Sequence, residues 1–472
     1  MPLHDAKTAP EGDDLDINPL YVRVEGFPVP RHIMPRRGML PDTALQVVRD
    51  ELILDGNARL NLATFVTTWM EPEAELLMAE CSAKNMIDED EYPQTAELER
   101  RCVNILANLW HAPATTSAAA DGAAATGCST TGSSEACMLG GMALLWRWRA
   151  RRNAAGASVT APNLVMGANV QVCWEKFCRY WQVEPRLVPM AEGRLHLTGP
   201  TAAAQCDENT IGVVAVMGST MDGSYEPVRQ ISEALDRLQA EHGHDVPVHV
   251  DGASGGFVAP FLQPNLEWDF RVPRVASINA SGHKYGLVYP GVGWVVWRDA
   301  SALPDDLVFR VNYLGGDMPT FALNFSRPGS QVAAQYYNFL RLGFEGYRRV
   351  QQASQDVAMH LSSQIAAMGP FELLSAGSEL PVFAFRLREA ATYTVFDLSE
   401  RLRQRGWLVP AYTFPADMQD TAVIRIVVRN GFSMDLAGEF LGDLRTQVEV
   451  LAAHPSPPVP LLPEGSHPGF AH

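Results

Sequence analysis

Between residues 163 and 297 the chain alternates short apolar runs with amphipathic stretches. The runs are Leu164–Gly167, Gly212–Met217, Val248–Val250, Val275–Ile278 and Val292–Trp297, each the length of a buried strand. The intervening stretches 170–181 and 225–242 carry apolar residues at helical spacing. Together they predict an α/β domain with a largely parallel sheet. Upstream, Asn61–Phe65 is followed by a helical region through Asp88, and 96–110 forms an amphipathic helix with Leu98, Cys102, Val103, Ile105 and Leu106 on or near one face. Residues 112–131, rich in alanine, glycine and threonine, read as a flexible connection. It ends at Thr131–Ala136, which opens a long helix running to about Arg152. Further on, a helix from Ser330 to Arg341 and another over 347–367 precede a smaller α/β unit. That unit has strand Pro381–Arg386, helix Thr394–Arg405, strand Val423–Arg429 and helix Leu436–Ala453.

This pattern divides the chain into an N-terminal arm (1–59), a large domain (60–346), a small C-terminal domain (347–454) and a flexible tail (455–472). The arm contains an amphipathic piece, Thr43–Leu54, of the kind that packs on a partner subunit. With 472 residues, two or three packed domains are expected. The 37 basic against 54 acidic residues give a net charge of −17, which disfavours non-specific binding to nucleic acid or an anionic membrane. The Trp146–Arg152 segment mixes basic and aromatic residues, but it reads as a cationic helix end with buried tryptophans. The seven cysteines are scattered without a C-x-x-C pair, as in a reducing compartment. No signal peptide or membrane-spanning run is visible, and a cytoplasmic protein is expected.

Two charged residues stand at the ends of predicted strands. Asp251 closes Val248–Asp251 and enters a run of small residues, and Lys284 lies in Ser281-Gly282-His283-Lys284-Tyr285-Gly286. A lysine that forms a Schiff base and a carboxylate that pairs with a protonated ring nitrogen are what pyridoxal phosphate requires. Given Lys284, the Gly132-Ser133-Ser134 helix start reads as a phosphate cradle of free N–H groups, helix dipole and hydroxyls. Thr220 follows a strand in the same way. In open parallel sheets ligands sit beyond the carboxyl ends of the strands, so Asp251, Lys284 and Thr220 share one rim. Thr64, Asn85 and Asp88 read from the residues alone as capping and turn chemistry. Arg425 either faces solvent, clamps a carboxylate or orients a site loop. His242, His244 and His249 lack the carboxylate–histidine pattern of a metal site.

The chain resembles the pyridoxal-phosphate-dependent glutamate decarboxylases of bacteria and plants from about residue 42 to 453. The resemblance runs through Asp55–Arg59, Asn61–Phe65, Glu91–Gln94, Leu109–Pro113, Gly132–Gly141, Val170–Trp174, Cys206–Thr210, Ser281–Lys284 and Asn324–Pro328. It implies the fold type I architecture, with a seven-stranded, mostly parallel sheet, a smaller C-terminal domain, and active sites built between two subunits of a dimer or larger assembly such as a hexamer. It implies that Lys284 holds the aldehyde, that Asp251 holds the ring nitrogen, and that Ser133, Ser134, Thr220 and His283 surround the phosphate edge. Ser326 would reach a partner's phosphate, and Gln171 and Ala253 would pack on the two ring faces. Thr64 and Asn85, with Asp88 nearby, would receive the distal carboxylate of L-glutamate. The product is 4-aminobutyrate, with one proton consumed per turnover, as suits acid resistance. Lys284 or Tyr313 would return the proton to the α-carbon. Gly252 stands where the family has alanine, which would loosen that turn. His467 and His472 are candidates for a tail plug over the site. The tail has no tryptophan or lysine, so no calmodulin partner is expected. Another decarboxylation or a carbon–carbon lyase reaction of the same cofactor, and a catalytically dead homologue, are the competing readings.

Overall fold

The computed structural model describes residues 31–113, 125–311, 318–388 and 391–453. Tyr313, His467 and His472 lie outside them. The described residues divide between Asn57 and Ala58 into two separate compact units. In the first, helix α1 (Pro41–Leu52) begins on a proline, whose fixed φ suits the first turn. It buries none of its residues, and Leu45, Val48 and Leu52 are exposed along it.

The second unit is built on a seven-stranded sheet. Its strands are β1 (Gly127–Thr130), β2 (Asn163–Gly167), β3 (Glu184–Val188), β4 (Thr210–Val216), β5 (Val248–Asp251), β6 (Val275–Ala280) and β7 (Gly293–Trp297), in spatial order β1-β7-β6-β5-β4-β2-β3. The ladders from β3 through β6 are parallel, and β7 is antiparallel to both its neighbours. The mostly parallel α/β architecture expected from the sequence is therefore present. β4, β6 and β7 are buried along their whole length, as strands covered on both faces must be. Helices α2 (Pro72–Glu80), α3 (Pro93–Leu109), α4 (Ser133–Ala154), α5 (Val172–Tyr180), α6 (Gly199–Ala203), α7 (Val228–His242) and α8 (Ala259–Leu262) accompany this sheet. Helix α9 spans Ser330–Ala367 with a break at Gly343, whose φ of 58° and ψ of −172° end one helix and start the next, as two helices were expected there.

A second core lies under a four-stranded antiparallel sheet. Its strands are β10 (Phe371–Leu373), β11 (Val382–Leu387), β12 (Ala411–Thr413) and β13 (Ala422–Val427), after a two-stranded ribbon of β8 (Phe309–Val311) and β9 (Met318–Thr320). Helices α10 (Val395–Arg403) and α11 (Met434–Ala453) pack on that core. Among the described residues, no helix is long and apolar enough to cross a membrane.

Two sequence expectations are corrected, and three strands are additions to them. Part of the stretch read as a flexible connection is strand β1, which pairs Gly127 with Val296 and Thr130 with Gly293. Its Gly-Cys-Ser-Thr sequence has little strand propensity, and pairing with buried β7 supplies what propensity does not. The helical region expected through Asp88 ends at Glu80, after which turns carry the chain. Strands β3, β10 and β12 are short and half-exposed, too polar to stand out as apolar runs.

Helix α4 crosses β5 closely. A Cβ on Gly140 would lie 2.4 Å from Cε1 of the buried His249. Glycine costs a helix interior about 1 kcal/mol, and here it makes room for that imidazole. Gly140→Ala is expected to lower the unfolding free energy by about 1–3 kcal/mol, the usual cost of overpacking, as measured by urea denaturation.

Candidate active site

The parallel register brings the carboxyl ends of β4, β5 and β6 to one rim, with Val216 opposite Asp251 and Asp251 opposite Asn279. The loops leaving these ends, with those after β1 and β2, enclose a cavity of about 340 Å³. Its lining includes Ser133, Ser134, Gln171, Thr220, Asp251, Ala253, His283 and Lys284. Asp251 and Lys284, the two charges on which the sequence reading turns, thus open on the same space.

Asp251 is 4 % exposed, and both its oxygens are held. Oδ2 accepts from Trp174 Nε1 at 2.8 Å and from the Cys137 thiol at 3.6 Å, and Oδ1 accepts from Asn279 Nδ2 and from the Ala253 amide, each at 3.1 Å. Burial pushes the Cys137 thiol well up, so it stays protonated and serves as a donor.

Lys284 follows β6 by one tight turn. Its carbonyl accepts the Thr67 hydroxyl at 2.6 Å, and its Nζ lies 5.3 Å from the centre of the Phe65 ring. Burial lowers its pKa against the opposing pull of Asp251, and Arg425 adds to the lowering.

The neighbouring His283 is depressed to about 4, first by burial and then by the Lys284 charge. Its Nδ1 accepts the Gly291 amide at 3.4 Å, which leaves the proton of the neutral ring on Nε2.

Helix α4 begins at the rim with Ser133. Unpaired N–H groups and the positive end of the helix dipole make such a start a place for an anion. A Cβ on Gly132 would lie 3.0 Å from the His283 ring, so glycine lets the helix start and the imidazole share the rim. The Ser133 hydroxyl takes hydrogen bonds from Ser281 Oγ (2.8 Å) and Asn279 Nδ2 (3.2 Å). Gln171 caps α5, its Oε1 accepting the Cys173 amide at 2.6 Å. At Gly252, after Asp251, a Cβ would stand 2.9 Å from the Asn279 carbonyl oxygen.

Other predicted residues lie outside the cavity lining. Asn85 donates to Ser326 Oγ at 3.3 Å and accepts the Arg327 amide at 3.0 Å, so Asn85 and Ser326 sit side by side. The Asp88 amide bonds back to the Asn85 carbonyl. Thr64 Oγ1 accepts the Val66 amide at 3.1 Å, one residue from the ring of Phe65. Arg425 is largely buried. It donates to the Thr220 carbonyl at 2.5 Å and the Ala63 carbonyl at 2.8 Å, with Phe65 4.9 Å beneath its guanidinium. This geometry ties Arg425 to the backbone of the Ala63 and Thr220 loops.

Sequence reasoning did not single out Phe65, Thr67, Trp174, Asn279 or Ser281. One signal could have found Asn279: the polar residues of His249-Val250-Asp251 and Ser277-Ile278-Asn279 alternate with apolar ones, at the two-residue period of a shared strand face.

The lining fits pyridoxal phosphate. It offers a carboxylate for a ring nitrogen, an amine for an aldehyde, and hydroxyls with a helix start for a phosphate. Residues 30–388 match the model of the pyridoxal-dependent decarboxylase conserved domain. A glutamate decarboxylase of Aliivibrio fischeri is 54% identical over 96% of this chain and 97% of its own length. Glutamate decarboxylase 5 of Arabidopsis thaliana is 51% identical over 92% of this chain and 87% of its own. The solved glutamate decarboxylase of Lactobacillus brevis superposes with a TM-score of 0.87 at 47% identity, over 91% of this chain and 97% of that one. With a cavity of this make-up and matches of this length, the chain belongs to the pyridoxal-dependent decarboxylase family.

Proposed function

We propose that this protein is a glutamate decarboxylase, releasing carbon dioxide from L-glutamate and leaving 4-aminobutyrate, with pyridoxal 5'-phosphate carried on Lys284. The observation that carries the reading is the opening of Lys284 and Asp251 on one cavity, in a chain about half identical to glutamate decarboxylases along nearly its whole length.

When bound, the cofactor supplies an aldehyde that condenses with primary amines and a cationic ring that accepts the electron pair left by a departing carboxylate. The lowered pKa of Lys284 raises its share of neutral, nucleophilic amine near pH 7. Thr67 holds the backbone from which that amine projects. Asp251, fixed through both oxygens, is the partner for the ring nitrogen. Ser133, Ser134, Thr220 and the Nε2–H of His283 receive the phosphate edge, and Gln171 and Ala253 flank the ring. Lys284 is the group in the cavity suited to return a proton to the α-carbon. The balance is one glutamate and one proton in, one 4-aminobutyrate and one carbon dioxide out, which suits a role in acid resistance.

The distal carboxylate of glutamate is assigned to Thr64, Asn85 and Asp88. Asn85 and Ser326 lie together outside the cavity lining of their own chain, which favours their presentation to the cavity of a second copy. Self-association also gives the exposed apolar residues of α1 a surface to cover. A dimer is the minimum assembly.

Lys284→Ala is expected to reduce carbon dioxide release from glutamate below detection and to abolish the visible absorbance of the covalently held cofactor. Both are read on the purified variant beside glutamate, aspartate and tyrosine as substrates. Light scattering of the intact chain should report a dimer or larger, and Leu45→Glu combined with Val48→Glu should shift it toward smaller species.

His283 gives a pH test. Its folded pKa of about 4 lies below its ordinary 6.5, so between those values the unfolded chain binds the proton and the folded chain does not. Stability of the cofactor-free protein should therefore fall as pH drops from 6.5 to 4 and be insensitive to this group above 6.5. In His283→Gln this component, on the order of 1–3 kcal/mol, should be missing from urea titrations compared at pH 7.5 and 4.5.

A further inference from the structure

Behind Asp251, on the same sheet face and away from the cavity, lies a buried polar chain. His249 and Asp251 are two apart on β5, Ser277 and Asn279 two apart on β6, and the register pairs His249 with Ser277 and Asp251 with Asn279. All four side chains therefore share a face, and all four residues are at most 4 % exposed. His249 Nδ1 is 2.7 Å from Ser277 Oγ, His249 Nε2 is 2.8 Å from Asn279 Oδ1, and Asn279 Nδ2 is 3.1 Å from Asp251 Oδ1 and 3.2 Å from Ser133 Oγ.

The direction of this chain follows from the carboxylate. An ionised carboxylate only accepts, so the Asn279 group facing it must be the amide NH₂ and the oxygen must face His249. That oxygen only accepts, so His249 carries its proton on Nε2, and its bare Nδ1 takes the Ser277 hydroxyl. Rotating the Asn279 amide by half a turn would set its oxygen against the Asp251 oxygen and its NH₂ against the His249 N–H. The contact with Asp251 would then set acceptor against acceptor at a buried charge, a repulsion that no change of imidazole tautomer relieves. The imidazole is edge-on to Trp174 at 5.0 Å, the same indole that donates to the other Asp251 oxygen. Helix α4 has Gly140 against the imidazole, where a Cβ would overlap it.

We propose that His249 is a positioning residue for the decarboxylation. Through the amide of Asn279 it fixes the Asp251 carboxylate and the Ser133 hydroxyl, the ring-nitrogen anchor and one of the phosphate anchors, in a single arrangement. The proposal rests on the assignment of Asp251 to the ring nitrogen of pyridoxal phosphate. Neither His249 nor Asn279 lines the cavity, so both act through the groups that do.

The test compares His249→Phe, which keeps bulk and ring but has no donor, with His249→Gln, whose amide can donate to Asn279, and with Asp251→Asn, each as holoenzyme. For His249→Phe, kcat should fall about tenfold or more, the scale on which partners of a contacting ligand commonly act. KM for glutamate should stay within about twofold, the cofactor should dissociate more readily, and its visible absorbance should shift in the direction seen for Asp251→Asn. His249→Gln should recover most of the loss. The proposal is overturned if His249→Phe keeps wild-type kcat, spectrum and cofactor affinity while Asp251→Asn is impaired. It is equally overturned if His249→Phe and His249→Gln lose activity alike in step with a lowered melting temperature, the mark of a merely structural role. Normal turnover by Asp251→Asn would instead bring down the assignment beneath it.

Discussion

A carboxylate buried at the end of a central strand is the constraint from which the site follows. Left unpaired, a buried charge costs several kcal/mol, and Asp251 avoids this by drawing donors from separate elements. These are the indole of Trp174 on α5, the thiol of Cys137 on α4, the amide of Asn279 on β6 and the backbone of Ala253 in its own turn. Each can reach only if its element packs within narrow limits. The packing of α4 and α5 on the sheet and the arrangement of the charge are thus one requirement.

That view explains what could be read from the chain beforehand. The strands β2, β4, β5, β6 and β7 are apolar enough to be seen as runs, and the charged or hydroxyl residues beyond their ends were legible because a parallel sheet delivers its strand ends to one side. Asp251, Lys284 and Thr220 needed no more than that rule. Asn279 and Trp174 were missed because each lies within an element whose apolar character dominates its pattern. Their partners are 28 and 77 residues away in the chain, so the alternation within β6 marks the face of Asn279 but not what it meets. Strand β1 was missed for a related reason, since only its pairing with β7 marks Gly-Cys-Ser-Thr as a strand.

Arg425 and Gly252 show where composition alone misdirects. An arginine on an alternating strand reads equally as a surface charge or a clamp, yet here its guanidinium sits over Phe65 and binds the carbonyls of Ala63 and Thr220. It fastens strand β13 to the loop of Ala63 and to that of Thr220, which lines the cavity, contacts that only the folded chain supplies. A glycine in a turn suggests looseness, yet the Asn279 carbonyl lies so near that a methyl group would have to push it aside. In this chain the glycine is matched to the position of that carbonyl.

The reversed direction of β7 bears on how the reactive amine is mounted. A parallel successor to β6 would need a long crossover to return to the starting edge. Because β7 runs the other way, the segment bearing Lys284 leaves one strand and enters the adjacent one directly, with both ends rooted in the same ladder. Within it, backbone bonds from Lys284 to Ser281, from Leu287 to Lys284 and from Val288 to Gly282 fold the segment on itself. The tether is thereby rigid before any small molecule arrives, so the entropy of ordering it is lost when the protein folds and does not weaken capture of the cofactor.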